Sequence, residues 1–534
     1  MKSIHVYILL ASLLLMVNIR LVNGQPFELE LQPYTINGLP GLHSFSSTTE
    51  NGNWVLVGGR LNGLHGWQPP FAFPLSTQNT SVYVVDPVAS QAWSASTNTL
   101  PLQTQEHICS SNQQSVRIGN YMYVIGGYGY NTAAGTMISF PNITAIDIPL
   151  LNNAIINQLP INSAFRTITF NEAAVTGGNA RYFNNQVHLV FGHRFDGLYN
   201  PHNGPSFTQT YTDQIRLFNI NDNGITFSPV NYNAITDTTN FHRRDYNLSD
   251  QILPGGTPAL TAFSGVFRKS IDLPYYDNID ILGSGYNVNS SFEQKLNNYH
   301  SATIVCFDST MDKSYTLFMG GMAQYLYDQN NNLLNDSLVP FVKTISMITR
   351  DANGQFETNM PYEMPGYLGS NMEYFPSDPI MKYANGVLKY HEIDTGKVLI
   401  GYLFGGIESD YPYVFMQGGG SSWANDKVFK VFLKKNTSTT GILENEMIKE
   451  FKIFPNPMVN QSLTIEFQLS RPGATFLNIY DSSGKLISKE FFGELSIGSH
   501  QFKYDTPFMA PGVYQITLNS GGSFDNQKLT VTPR

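Results

Sequence analysis

Charge is scarce in this chain: only 13% of its 534 residues are Asp, Glu, Lys or Arg, about half the share of an ordinary soluble domain. That argues against a coiled coil or a disordered polyampholyte, both of which need dense charge. Lys and Arg number 31 against 40 acidic residues, and no basic run occurs, so nucleic acid is a poor partner. Cysteine is almost absent. Cys109 and Cys306 make neither a disulfide framework nor C-x-x-C metal spacing. Both fall in apparent inner strands of different repeats, and two buried free thiols are expected. Long apolar runs are missing as well. Val6–Val17, behind Lys2 and ahead of Val22-Asn23-Gly24, is too short to span a bilayer and carries the marks of a cleavable signal peptide over residues 1–24. No later segment is long and apolar enough to cross a membrane. Neither H-E-x-x-H nor G-x-S-x-G occurs, and Gly418-Gly419-Gly420 lacks the Lys-Ser/Thr of a phosphate loop.

What the chain has instead is aromatic residues, at 13%, and 45 glycines, a mixture that suits a large, buried, turn-rich β protein. An apolar run ending in glycine recurs at Trp54–Gly59, Tyr121–Gly127, Val187–Gly192, Tyr315–Gly321 and Tyr402–Gly406. Each run follows a short strand and precedes a long loop and another alternating strand, such as Ser81–Asp86 or Lys427–Phe432. The pattern predicts four short strands per unit at a spacing of about 66 residues. A further unit around Leu260–Gly285 keeps its strands, lacks the signature and ends in Gly283-Ser284-Gly285. In the first unit, His43-Ser44, Gly58-Gly59, Asp86 and Trp93 resemble the kelch repeat; the third has Gly192-His193 in place of Gly-Gly. The resemblance implies an all-β fold, a kelch-like β-propeller of about six blades over residues 25–433, followed by a small β-sandwich. Phe27–Leu31 alternates cleanly and is expected to supply the outer strand of the last blade.

Residues 434–450 read as a linker, and 451–534 as about seven closely spaced strands. In this tail Pro455, Asn456 and Pro457, then Ile479-Tyr480-Asp481, then Pro511, Gly512 and Tyr514, and lastly Lys528 resemble the type A C-terminal sorting domain of type IX secretion in Bacteroidetes-like bacteria. That resemblance implies the type IX machinery as a partner and a secreted or outer-surface location.

In such a propeller the loops joining second to third strands share one face with the connections between blades. Here they are long and aromatic, at 60–79, 128–140, 193–211, 322–340 and 407–425, and one rim of long loops is where a scaffold places binding. The same face gathers His193, Arg194, His242, Arg243, Arg244, Asp245, Tyr299 and His300, with the long connection placed at Pro229–Gly256. Arginine forks there suit a carboxylate or sugar hydroxyls, whereas an internal pairing of Arg243 or Arg244 with Asp245 would merely pin the loop. The favoured reading is a non-catalytic protein that binds a glycan or a protein, with no cofactor and no metal. The alternative is an extracellular carbohydrate-active enzyme, a sugar isomerase or an oxidase. Tyr299-His300-Ser301 resembles the copper-ligand strand of galactose oxidase, and Cys109 its crosslinked cysteine, so copper is the lesser cofactor expectation.

Overall fold

The computed structural model describes residues 25–201, 206–328, 332–414, 422–436, 448–470, 472–481, 485–520 and 523–533. The signal-peptide stretch 1–24 and most of the 434–450 linker lie outside them. The described chain divides into one compact unit, Pro26–Lys435, and a second formed by its C-terminal part from Asn436.

Among the described residues the first unit has six large sheets, each with a core of four antiparallel strands, and three two-stranded ones. Sheet I comprises Ser46–Glu50, Asn53–Val57, Ser81–Asp86 and Gln91–Ser96. Sheet II comprises Gln114–Ile118, Tyr121–Ile125, Asn142–Asp147 and Phe165–Thr169. Sheet III comprises Asn179–Phe183, Gln186–Val190, Gln214–Asp222 and Phe227–Thr236. Sheet IV comprises Asn247–Leu253, Thr257–Phe263, Asn278–Leu282 and Gly285–Asn289. Sheet V comprises Ala302–Asp308, Lys313–Met319, Thr344–Asp351 and Gly354–Glu363. Sheet VI takes three strands from Tyr367–Pro376, Lys397–Ser409 and Val428–Lys435. Its fourth strand comes from the other end of the unit: Phe27–Tyr34 pairs antiparallel with Val428–Lys435, from Phe27 opposite Lys435 to Tyr34 opposite Val428.

Side-chain seams between neighbouring sheets, and between the sixth and the first, close the array into a ring. The second strand of sheet I shows how, because successive strand residues face opposite sides. Trp54 and Leu56 pack with Phe375, Tyr402 and Phe404 of sheet VI, while Val55 and Val57 pack with Met122 and Val124 of sheet II. Further clusters join II to III, III to IV and V to VI. Between IV and V the main cluster shrinks to Phe263, Phe292, Phe318 and Ile348. A strand buried on both faces must be apolar throughout, which explains the unbroken runs in the sequence.

Two successive left-handed residues follow five of the second strands, at Gly58-Gly59, Gly126-Gly127, Phe191-Gly192, Ser264-Gly265 and Gly320-Gly321, and Gly405-Gly406 takes the same conformation within the sixth. The second of each pair is always glycine. A Cβ on Gly59 would stand 2.4 Å from the His43 carbonyl oxygen, so no side chain fits there. This corrects two sequence readings. The third unit's counterpart of Gly-Gly is Phe191-Gly192, not Gly192-His193, and the fourth unit keeps the turn at Ser264-Gly265, while Gly283–Gly285 merely joins its outer strands.

Other details differ from expectation. The proposed loop 229–256 is mostly strand, leaving 237–246 as the connection. Three of the long loops carry hairpins, Tyr128–Asn131 with Thr136–Ser139, His193–Gly197 with Phe207–Tyr211, and Tyr325–Tyr327 with Leu333–Asn335. Cys306 lies on an inner strand, but Cys109 caps the helix Leu102–Ile108. Both thiols are free and buried.

The second unit has a three-stranded sheet, Ile448–Phe454, Ser462–Leu469 and Gly498–Asp505, and a four-stranded one, Gly473–Tyr480, Leu486–Leu495, Gly512–Ser520 and Ser523–Val531. Leu463, Ile465 and Phe467 of the first share one apolar cluster with Leu477, Ile479, Ile516 and Leu518 of the second. Ser462–Leu469 and Gly473–Tyr480 alternate buried and more open residues, as a strand with a single covered face should.

Candidate functional site: two cavities about a backbone collar

The six first strands line one axis, and residues just before five of them, with Asn371 inside the sixth, form a collar. Ser44, Asn112, Gly177, Asp245 and Asn371 all have positive φ, between 51° and 62°. Backbone hydrogen bonds run from unit to unit around the axis: Asn112 to the Ser44 carbonyl at 3.0 Å, Asp245 to Gly177 at 2.8 Å, His300 to Asp245 at 2.9 Å and Asn371 to His300 at 2.9 Å. Left-handed backbone at non-glycine residues costs energy and tends to mark functional positions. Asn and Asp, which tolerate it best, hold three of these places.

One cavity, of about 300 Å³, lies along the first strands. Its lining is polar: Ser46, Gln114, Asn179, Arg181, Asn247, Thr303 and Glu373 come from all six sheets. His300 joins it, its Nε2 3.5 Å from Glu373 Oε1 and its Nδ1 3.1 Å from Asn371 Oδ1. Burial pushes the Glu373 carboxyl up, while His300 and Arg181 pull it back.

The other cavity, of about 140 Å³, shares Ser44, Asn112, Asp245 and Asn371 with the first and extends to the long loops. Two rows of side chains line it. The residue preceding each collar position contributes His43, Ser111, Thr176, Arg244, Tyr299 and Ser370. The residue after the paired left-handed turn contributes Arg60, Tyr128, His193, Met322 and Ile407. The rows pair in register, His43 with Arg60, Ser111 with Tyr128 and Thr176 with His193. Loop aromatics complete one wall: Phe73 stacks on His65 at 4.4 Å, Tyr199 meets His65 edge-on at 4.8 Å, and Phe73 meets Tyr128 at 5.2 Å.

Of the residues singled out from sequence, His193, Arg244, Asp245 and Tyr299 meet at this cavity, and His300 with Asp245 lines the other. Arg244 lies 3.4 Å from Asp245, reaches His193 Nδ1 at 3.2 Å and stacks on Phe267 at 4.2 Å. Burial, with Arg244 alongside, holds His193 well below its ordinary pKa and therefore neutral. Burial pushes the Asp245 carboxyl up, against the pull of Arg244 and His300.

Three candidates line neither cavity. Arg243 is fully buried, donating to the carbonyls of Asn240 and Ser264 and to Asp277 at 2.9 Å. It pins the 237–246 connection through Asp277 rather than Asp245. Arg194 points outward and pairs with Asp196 at 2.6 Å. His242 pairs with Asp213 at 2.9 Å and stacks on Tyr211 at 3.8 Å. Tyr299 and His300 line different cavities, and Cys109, held against Thr97 at 3.2 Å, lines neither. The three do not come together as a copper set, and among the described residues no group of three His, Cys, Asp or Glu could hold a metal ion.

Arg60, His65 and Tyr128 escaped the sequence reading, which had His43 only as part of the repeat signature and Tyr199 only within the aromatic loop 193–211. The signal for two of them was present, because Arg60 and Tyr128 follow Gly-Gly as His193 follows Gly192.

In the C-terminal unit, Asn456 ties the beginning of the domain to its last strand. It donates to the Lys528 carbonyl at 2.6 Å and accepts from the Thr530 amide at 3.0 Å. Pro455 and Pro457 flank it, Gly512 opens the strand after Pro511, and the Tyr514 hydroxyl donates to the Ala510 carbonyl at 2.9 Å. No helix among the described residues is long and apolar enough to cross a membrane.

No curated protein sequence matches the chain. Among solved structures, PorZ, a surface component of the type IX secretion system of Porphyromonas gingivalis, is 10% identical; the match covers 94% of this chain and 81% of PorZ at a TM-score of 0.15. A family 43 arabinoxylan arabinofuranohydrolase from Bacillus subtilis is 11% identical, with 79% and 96% covered and a TM-score of 0.21. A family 32 glycoside hydrolase from Bifidobacterium adolescentis is 9% identical, with 94% and 95% covered and a TM-score of 0.26. Likeness at this level carries no inference about fold or activity. The tail is different: residues 452–532 match the family of secretion system C-terminal sorting domains, which indicates export by type IX secretion to the cell surface or the extracellular space.

Proposed function

We propose that residues 26–435 are a six-bladed kelch-type β-propeller and that the exported protein binds a glycan in the cavity between the collar and the long loops. The propeller reading is supported by six four-stranded sheets in chain order, a seam between every neighbouring pair, and an outer strand borrowed across the ends of the unit. The binding reading rests on one observation. Every sheet but the fourth sends its post-turn residue into the loop-side cavity, and every sheet sends its pre-collar residue there, so residues from six separate sheets share one small polar and aromatic pocket. A cavity of about 140 Å³ suits a single sugar ring better than a protein surface, which binds over a broad, flat area.

A glycan array probed with the purified protein and with Tyr199→Ala tests this. A bound glycan class whose signal drops at least tenfold in the variant is expected. An array with no bound glycan, or binding indifferent to the change, overturns the reading; a protein ligand captured in its place would do the same.

A further inference from the structure

Among the described residues three arginines are buried: Arg60, 4% exposed, Arg243, 0%, and Arg350, 8%. Two of them have a counter-ion, Arg243 in Asp277 at 2.9 Å and Arg350 in Asp280 at 2.9 Å. Arg60 does not. Its Nε donates to Asn62 at 3.1 Å, and its Nη2 donates to the Pro74 carbonyl and the Thr77 hydroxyl, each at 2.6 Å. Among the described residues no carboxylate lies within ion-pair distance of it, and its hydrogen bonds come from Nε and Nη2. A buried guanidinium without an anion is costly, and this one borders a cavity.

The neighbouring groups are donors too. His43, strand-paired with Arg60, has its buried Nε2 in no hydrogen bond of good geometry, with only the Asn62 and Gly63 backbone near its ring to accept a proton. Burial and Arg60 push its pKa down to about 3. Assigning the Ser44 hydroxyl as donor to Nδ1, at 2.9 Å, puts the neutral ring's proton on Nε2. Arg244 also faces the cavity, its buried Nε lacking a hydrogen-bond acceptor and lying 3.4 Å from Asp245. His65 and His193 are held neutral by burial and by the arginines. Two guanidinium groups thus face one carboxylate, a surplus of one positive charge. Phe73 lies 5.4 Å from the Arg60 guanidinium carbon and stacks on His65, which Tyr199 meets edge-on, so an aromatic wall stands beside the guanidinium.

Resting on the reading that this cavity binds a glycan, we infer that its ligand is an acidic sugar, a uronate whose carboxylate sits on Arg60 and Arg244 with the ring against the Phe73–Tyr199 wall. A planar carboxylate matches the two-pronged guanidinium, and one negative charge cancels the surplus.

Calorimetric titration of the purified full chain with oligogalacturonate and oligoalginate tests the inference, beside the carboxyl-reduced forms, a sulfated galactan oligomer and an acidic hexapeptide. Binding of a uronate oligomer is expected, weakened about a hundredfold by carboxyl reduction, by Arg244→Met and by Arg60→Met, and unchanged by Arg194→Ala. Arg60 also ties down the 60–79 loop, so Arg244→Met and the reduced oligomer keep the test independent of folding. Failure of both uronates to bind, equal binding of the reduced form, preference for the sulfated oligomer or the peptide, or intact binding in Arg244→Met overturns the inference. A neutral glycan bound on the array and lost in Tyr199→Ala would overturn the uronate while leaving the glycan reading standing.

Discussion

The seam between sheets I and II and the seam between sheets IV and V solve one problem in different ways. The first is apolar, with Val55, Val57, Met122, Val124 and Leu151 packed together. The second has fewer apolar residues and is crossed by polar ties. Arg350 reaches Asp280 at 2.9 Å, and Asp280 also accepts from Thr261 at 2.7 Å and Asn289 at 2.8 Å. Gln251 donates to Thr316 at 3.0 Å. Glu357 accepts from the backbone amides of Lys295 and Leu296 at 2.8 and 3.0 Å. The difference teaches that a ring closed by repeated sheets needs equal spacing at its seams, not equal chemistry. An apolar seam draws its stability from area removed from water and tolerates loss in proportion to volume. A polar seam depends on complete pairing, and one missing partner leaves a buried charge exposed to no compensation.

The sharpest way to break the comparison is Arg350→Met, which strands Asp280. It should destabilise the first unit by about 3 to 5 kcal/mol in chemical denaturation, and adding Asp280→Leu should restore most of the loss. If the double variant is no better than the single one, the seam is not governed by pairing.

Leu151→Ala in the apolar seam removes a fully buried side chain. It should cost about 2 to 4 kcal/mol, by an amount that is the same at pH 5 and pH 8. A pH-dependent loss would contradict the apolar account.

The smallest effect separates the seams by pH. Burial pushes the Glu357 carboxyl up to about 7, against an ordinary value of 4.5. Between those values the folded chain keeps a proton that the unfolded chain has released. This group's contribution therefore falls as pH rises from about 4.5 to about 7, then levels off. Glu357→Gln should remove that slope, stabilising the protein by about 1 to 3 kcal/mol at pH 8 and leaving it nearly unchanged at pH 4. Parallel stability–pH curves for the two proteins would show that Glu357 does not titrate in this range.

The two seams also differ in how well they could be read from sequence. Sheets I and II announce themselves through Trp54–Gly59 and Tyr121–Gly127, apolar because both faces are covered and glycine-ended because a Cβ would strike the preceding inner strand. Sheet IV hides. Ser264 takes the left-handed place of the first glycine, and polar residues stand where its seam with sheet V is bridged rather than greased. The cavity was half legible for a similar reason. Arg244, Asp245, Tyr299 and His193 stood out as rare charge and aromatic residues near strand ends. Arg243 stood out equally and proved to be a buried tie to Asp277, 34 residues away. Arg60 passed unnoticed, since nothing along the chain marks a cation as lacking a partner.

Taken alone, the sequence determined the all-β class, the four-stranded repeat, the borrowed strand at Phe27–Leu31, which the structure extends to Tyr34, and the sorting tail. These are encoded in periodicity and in motifs read within a few residues of one another. Only the tertiary structure decided how many sheets close the ring, which of three adjacent charges is structural, and that Arg60 faces a cavity without a counter-ion. Those properties depend on contacts between residues tens to hundreds of positions apart, where burial sets the cost of a charge and distance decides whether it is paired.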